Sequence, residues 1–234
     1  MRENLSDRVI VYLTEQCNRF CAPCALGIRP KKNPRHLDAK DLAAALKELE
    51  PHRPIYLTGG EPTLHPRFNA IARLLKRFDS ATVITNGHWI TTKERAAREL
   101  RKIPRNVVIR LSVNRYLEER DPRLKEKARI LGEVAGEAGR EWEYCVTTAK
   151  KKNGKWVDDP AEGERIVKEY GLPEEKVRMA GFQEPGEMGT APSVSISWTG
   201  DVFSSQHEMY EHERFKRGEP LGHLREGIRK VLER

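Results

Sequence analysis

Three cysteines stand within eight residues: Cys17, Cys21 and Cys24, in the stretch Cys-Asn-Arg-Phe-Cys-Ala-Pro-Cys. The C-x3-C-x2-C spacing puts three thiolates on one loop that can wrap a small inorganic core. Thiolates favour Zn2+ and iron–sulfur centres. Three ligands leave one coordination position open, as a catalytic centre needs. A zinc site requires a fourth ligand; His36 and Cys145, the one remaining cysteine, are the candidates, and neither has a familiar spacing.

A second constellation is Leu57-Thr58-Gly59-Gly60-Glu61-Pro62-Thr63-Leu64-His65-Pro66. Two glycines at a strand end let the backbone approach a ligand closely. Their amide and carbonyl groups, with the Glu61 carboxylate, suit a cationic amine. Pro62 and Pro66 stiffen the exit. Without the cysteines the same residues read as an ordinary strand-to-helix turn.

The elements that must position these groups alternate. Val9 to Thr14 is a β-rich run that leads into the cysteine loop. Asp38 to Glu50 reads as a helix, with Asp38 as N-cap and Leu42, Leu46 and Leu49 on one face. Strands are expected at 55–58, 81–85, 106–113, 142–148 and 176–180, with helices at 68–78, 92–102, 122–138 and 160–170. Repeated β-then-α order implies a parallel sheet with helices outside. Six such units are fewer than the eight of a closed barrel, which takes about 250 residues. The fold class is therefore α/β, a partial (β/α)6 barrel, with ligands at the C-terminal strand ends. The cysteines, Gly59–Gly60 and Asn86–Gly87 all fall at such ends. The expected division is a barrel over 1–180 and a short C-terminal extension over 181–234. In that extension Ser193 to Ser205 reads as a hairpin turning at Thr199-Gly200-Asp201, and Leu221 to Leu232 as an amphipathic helix.

The cysteine triad after a first strand, followed by Gly-Gly-Glu-Pro after a second and Thr85-Asn86-Gly87 after a third, resembles the radical S-adenosylmethionine superfamily over roughly residues 8–180. The resemblance implies one [4Fe–4S] cluster on Cys17, Cys21 and Cys24, with S-adenosylmethionine at the fourth iron. It implies reductive cleavage of the sulfonium, a 5′-deoxyadenosyl radical, and hydrogen abstraction from an organic substrate. It also implies that Gly59, Gly60 and Glu61 meet the methionine amine. On the fourth strand Val107, Ile109, Leu111 and Val113 alternate with Arg110, Ser112 and Asn114. Ser112 and Asn114 are then candidates for the ribose or the methionine carboxylate, Asn86 for a similar contact, and the backbone at Met179–Ala180 for the adenine. The pattern departs from the family before the last cysteine, where Pro23 replaces the frequent aromatic residue; Phe20 is expected to cover the cluster instead.

Cys145 alternates with Glu143 and Thr147 on the fifth strand, a face that leads into the barrel. Some relatives use a lone cysteine to return a hydrogen atom to a substrate radical; the plainer reading is a small buried hydrophobe. The hairpin resembles the one that opens an auxiliary-cluster domain in many relatives, but Ser204 and Ser205 stand where those carry cysteine. One cluster only is expected. His207, Glu211, His212 and Glu213 crowd the next segment and read as part of a substrate pocket or a solvated helix face.

The chain has 234 residues, 33% charged, against roughly 25% in a typical domain. Its formal net charge of +8 favours anionic partners: nucleic acid, a phosphorylated substrate or an acidic peptide. Lys150, Lys151, Lys152 and Lys155 flank an expected Asn153–Gly154 turn and read as a solvated loop tip. No signal peptide is expected from the charged opening, and no stretch approaches the roughly 20 apolar residues of a membrane span. A cytoplasmic location is expected, where clustered cysteines are ligands more often than disulfides. The expected partners are a small-molecule substrate undergoing epimerisation, dehydrogenation or rearrangement, and an external one-electron donor of the flavodoxin or ferredoxin kind. A peptide, RNA, a glycyl-radical partner protein, or plain electron transfer by a noncatalytic Fe–S or zinc protein are the alternatives.

Overall fold

The computed structural model describes residues 8–21, 24, 27–28, 30–152, 155–180, 193–205, 208–209, 212 and 219–233. Five strands, β1 (Val9–Tyr12), β2 (Ile55–Thr58), β3 (Ala81–Thr85), β4 (Val107–Val113) and β5 (Trp142–Thr147), lie side by side in chain order, each parallel to the last. A two-stranded antiparallel ribbon follows, β6 (Ala149–Lys152) and β7 (Lys155–Asp158). The sixth parallel strand, β8 (Val177–Ala180), then pairs with β5 and ends the sheet. This is the strand order of an open (β/α) barrel, reached because each strand is too short and apolar to stand alone and each crossover helix covers one face.

The helices are α1 (Ala39–Glu48), α2 (Phe68–Leu74), α3 (Lys93–Leu100), a single turn α4 (Arg115–Glu118), α5 (Leu124–Glu137) and α6 (Pro160–Tyr170). The Asp38 carboxylate accepts from the Lys40 and Asp41 amides and starts α1 as its sequence predicts. On β4 the buried residues are Val107, Ile109, Leu111 and Val113; the residues between them are half-buried. The apolar face therefore packs under the helices, and Arg110 and Ser112 face the barrel interior. Truncating a fully buried residue of this layer, such as Leu57 or Ile109, to alanine would cost about 2–5 kcal/mol.

The C-terminal segment continues the same sheet. β9 (Val194–Ile196) runs parallel to β1, and β10 (Asp201–Phe203) turns back against β9 through Gly200 at φ +93°. A two-residue strand, β11 (Gly222–His223), completes the edge. The expected helix over 221–232 is not continuous. β11, a 3-10 turn (Leu224–Glu226) and a short helix α7 (Ile228–Leu232) divide it. Gly227 stands between the last two at φ +88°, a conformation that stops a helix. Leu224, Ile228 and Val231 still point inward, so the apolar spacing survives the break.

The β6–β7 ribbon was not anticipated as strands; its Lys-rich residues alternate too little to signal them. Its register pairs Lys152 with Lys155, so the chain reverses between them, as expected; Asn153 and Gly154 lie outside the described residues. No helix among the described residues is long and apolar enough to cross a membrane.

Candidate active site

The loop after β1 carries the three cysteines, all half-buried and none in a disulfide. Its path is set from both sides. On one side, the Gly60 amide donates to the Thr14 carbonyl and the Glu61 amide to the Gln16 carbonyl, each at 2.7 Å. A Cβ on Gly59 would come within 2.7 Å of the Thr14 oxygen, and one on Gly60 within 2.2 Å of the Gln16 oxygen. The glycines are thus required by the approach of the β2 loop to the chain entering the cysteine loop. On the other side, the returning segment is tied by Glu15, a buried carboxylate that accepts from Lys31 Nζ at 2.8 Å, Arg35 Nη2 at 2.7 Å and the Arg35 amide at 3.1 Å. Burial alone would raise the Glu15 pKa, but the bonds from Arg35 and Lys31 outweigh it and hold it at about 2. The Thr14 hydroxyl meets His36 Nδ1 at 2.7 Å beside it.

Glu61 is fully buried. Its Oε1 accepts from the Thr63 hydroxyl at 2.5 Å, the Thr85 hydroxyl at 2.7 Å and the Thr63 amide at 3.3 Å; Oε2 accepts from the Asn86 amide at 2.6 Å. The carboxylate joins the ends of β2 and β3, and its oxygens are engaged within the protein. Asn86 Nδ2 in turn donates to Asn18 Oδ1 at 2.9 Å and lies 3.9 Å from Cys17 Sγ. Three successive loops are thereby locked around one thiol.

Burial raises the Cys17 thiol to about 11; the Arg19 amide, donating to Sγ at 3.4 Å, works against this, while Glu61 and Cys24 add to it. Cys17 and Cys24 pack against a small apolar cluster of Tyr12, Ile28, Trp198, Phe203 and Met209; Cys21 packs against the main core. Arg19 reaches across to the Asp121 carboxylate, which also holds Lys127 Nζ at 2.5 Å. Phe20, within the loop, is 47% exposed, and Pro23 lies outside the described residues.

The other expected residues are placed as follows. Asn114 caps α4, its Oδ1 accepting from the Leu117 amide at 2.8 Å. Ser112 and Cys145 are paired neighbours on β4 and β5; burial pushes the Cys145 thiol up, with Arg110 lowering it and Glu143 raising it. Two register positions below, Arg110 Nε and Nη2 contact Glu143 Oε2 at 2.8 and 2.7 Å, and Arg178 on β8 lies 3.5 Å from Oε1. The Ala180 carbonyl accepts from the Thr148 amide at 3.1 Å, and the Met179 sulfur turns to the helix side beside Gly163. Residues 181–192, His207, Tyr210, Glu211, Glu213 and Phe215 lie outside the described residues. His212 is described, with its ring 5.2 Å from that of Phe203. Ser204 and Ser205 close a turn: the Ser204 hydroxyl donates to Glu208 and the Ser205 hydroxyl accepts from the Glu208 amide.

Sequence reasoning missed Thr63, Thr85, Asn18, Glu15 and the Arg19–Asp121–Lys127 group. Thr63 and Thr85 flank recognised motifs and could have been proposed as partners for a buried carboxylate. Arg19 and Asp121 are 102 positions apart, and no local pattern joins them.

The superfamily model described as "Radical SAM superfamily" matches residues 11–173. The chain belongs to the radical SAM superfamily. Radical SAM proteins are enzymes that use a [4Fe–4S] cluster and S-adenosylmethionine. Among solved structures, SuiB of Streptococcus suis bound to its precursor peptide SuiA shares 16% identity over 91% of this chain and 62% of SuiB, with a TM-score of 0.60. The chain therefore spans less than two thirds of that relative. A structure of anSMEcpe with bound AdoMet and the Cp18Cys peptide aligns over 97% of this chain and 80% of its own, at 11% identity and a TM-score of 0.64. BtrN in complex with AdoMet and 2-DOIA aligns over 99% and 84%, at 16% identity and 0.51. At such identities the likeness establishes the fold. No curated protein matches the sequence.

The donor set fits the family's cluster. The thiols are outside any disulfide, lie on one loop and rest on apolar side chains. Among the described residues no three His, Cys, Asp or Glu side chains are drawn close enough to grip a single metal ion. A cubane of iron and sulfide is larger than one ion and takes its thiolates farther apart.

Proposed function

We propose that this chain is a single-cluster radical enzyme that takes a hydrogen atom from a small polar substrate, with Cys17, Cys21 and Cys24 as the seat of the cluster. The observation that carries this reading is the locking of the three-thiol loop onto Gly59–Gly60 and Asn86 at adjacent strand ends. When bound, cluster and S-adenosylmethionine supply one-electron cleavage of a C–S bond and the hydrogen-abstracting radical it yields. The chain's own residues bind and orient. The half-buried backbone around Gly59–Gly60 takes the methionine amine on its carbonyls. Glu61, whose oxygens are committed to Thr63, Thr85 and Asn86, shapes that backbone from behind. Ser112 and Asn86 take further polar groups of the nucleoside. Loops and C-terminal hairpin exclude water from the thiols.

Support for a small substrate comes from the sheet face that carries Cys145. Arg110, Glu143 and Arg178 form a group with two cations to one anion, on the same face as Cys145. Such a wall suits a carboxylate- or phosphate-bearing metabolite. On this reading Cys145, whose thiol pKa burial pushes up, returns a hydrogen atom from that face. A flavodoxin- or ferredoxin-like partner supplies the electron, in the cytoplasm. A peptide is the second reading, favoured by the peptides bound in the SuiB and anSMEcpe structures.

Deuterium transfer tests the choice. The reconstituted, reduced enzyme is given S-adenosylmethionine with perdeuterated small organic acids and sugar phosphates, or with deuterated peptides. Label in 5′-deoxyadenosine from the first pool is expected. Label from peptides alone would overturn the small-substrate reading.

A further inference from the structure

The C-terminal hairpin reaches the cysteine loop through Trp198, just beyond β9. The indole is 4% exposed. Tyr12 meets it edge-on, with ring centroids 6.5 Å apart, and the Arg35 guanidinium lies 5.6 Å from its centroid over the face. It belongs to the same packed cluster as Phe203 and Met209, against which Cys17 and Cys24 rest. Its Nε1–H is buried and has no hydrogen-bond partner among the described residues. Trp89, by contrast, satisfies its own N–H on the Thr85 hydroxyl at 3.2 Å. A buried donor without an acceptor is costly; of the buried side-chain polar atoms without a hydrogen bond among the described residues, Trp142 Nε1 included, Trp198 Nε1 is the one that belongs to the cluster against which Cys17 and Cys24 rest. An acceptor that arrives only with a cofactor explains one.

We propose that Trp198 donates its indole N–H to a sulfur of the cluster, either an inorganic sulfide or a ligating thiolate, and thereby sets the cluster's reduction potential. The inference rests on the cluster being seated at Cys17, Cys21 and Cys24. Reduction adds negative charge to the sulfurs, so a donor aimed at them stabilises the reduced form more than the oxidised one. Hydrogen bonds to sulfur are one of the recognised levers on such potentials. Trp198 is a positioning and tuning residue on this account and touches no substrate.

The test uses the full chain, anaerobically reconstituted with iron and sulfide. Trp198→Phe keeps an aromatic ring at the position and removes the N–H together with the five-membered ring that carries it, so the 15N measurement on the wild type is read beside it. The midpoint potential is read by dithionite titration followed by electron paramagnetic resonance. In parallel, protein carrying 15N-indole tryptophan is reduced, and nitrogen coupling to the cluster spin is measured. The expected result is a 15N coupling in the wild type that disappears in the variant, together with a more negative midpoint potential at wild-type iron content. A loaded variant with unchanged potential, or a loaded wild type without 15N coupling, overturns the proposal while leaving the cluster seat intact. Should the variant fail to hold iron, the wild-type coupling alone decides. A wild-type chain that takes up no cluster overturns both readings.

Discussion

Glu61 is the side chain on which two loops of the site meet, and its removal should be felt as structure before it is felt as chemistry. Glu61→Ala leaves donors from Thr63, Thr85 and Asn86 without their acceptor in a buried place. Bonds to a charged group contribute about 1.5–3 kcal/mol each, so a stability loss of at least about 2 kcal/mol is expected in urea unfolding of the cluster-free protein. Unchanged stability would show that the carboxylate is free for ligand. Asp121 carries a comparable burden. It neutralises Lys127, itself buried, and holds Arg19 of the cysteine loop. Asp121→Ala should cost about 3–5 kcal/mol, because a buried cation is left unpaired. The Asp121 pKa is lowered: burial would raise it, but Lys127 and Arg19 prevail. A carboxylate depressed in the folded state stabilises above its unfolded pKa of about 3.9 and loses that contribution as pH falls through the folded value. The wild-type advantage over Asp121→Ala should therefore be full at neutral pH and shrink only in acid below about pH 4; an advantage that grew with acid would contradict the pairing. At Cys145, alanine should leave 5′-deoxyadenosine formation intact and abolish product once a substrate is in hand; retained product would remove Cys145 from the reaction.

At the scale of elements, the glycines after β2 explain why a loop motif is so short. Gly60→Ala would drive a methyl group to 2.2 Å from the Gln16 carbonyl, and backbone cannot swing aside as a side chain does. A cost of about 1–3 kcal/mol and poor iron uptake are expected, read by unfolding and iron assay; normal uptake would mean that the cysteine loop tolerates displacement. Much of this level was legible beforehand. The six parallel strands and five crossover helices followed from apolar runs and helical spacing, since each burial pattern is local. The pairing of β9 with β1 was not legible, because nothing in two short apolar strands 185 residues apart in register names the partner. The final helix was over-read: its apolar spacing is real, but the left-handed geometry of Gly227 interrupts it. In the site, the cysteines and both glycine motifs were legible as residue types at fixed spacing. The motif points the Glu61 carboxylate at a ligand, whereas its bonds are internal; only the fold reveals that Thr85 and Asn86 arrive beside it.

Taken whole, the molecule places its chemistry at one end of an open sheet. The C-terminal hairpin supplies the wall, and serine stands there where a further thiolate would be needed for a second centre. Anaerobic reconstitution should accordingly give about four iron atoms per chain, the content of one cubane; near eight would contradict the single-cluster reading. The central claim is that three thiolates hold this cluster with one corner open to S-adenosylmethionine. It is tested most directly by reducing the loaded enzyme with dithionite in the presence of S-adenosylmethionine and quantifying 5′-deoxyadenosine, beside Cys17→Ser, Cys21→Ser and Cys24→Ser. The account predicts the nucleoside from the wild type and none from any of the three variants; a variant that still produces it, or a fully loaded wild type that does not, would contradict it.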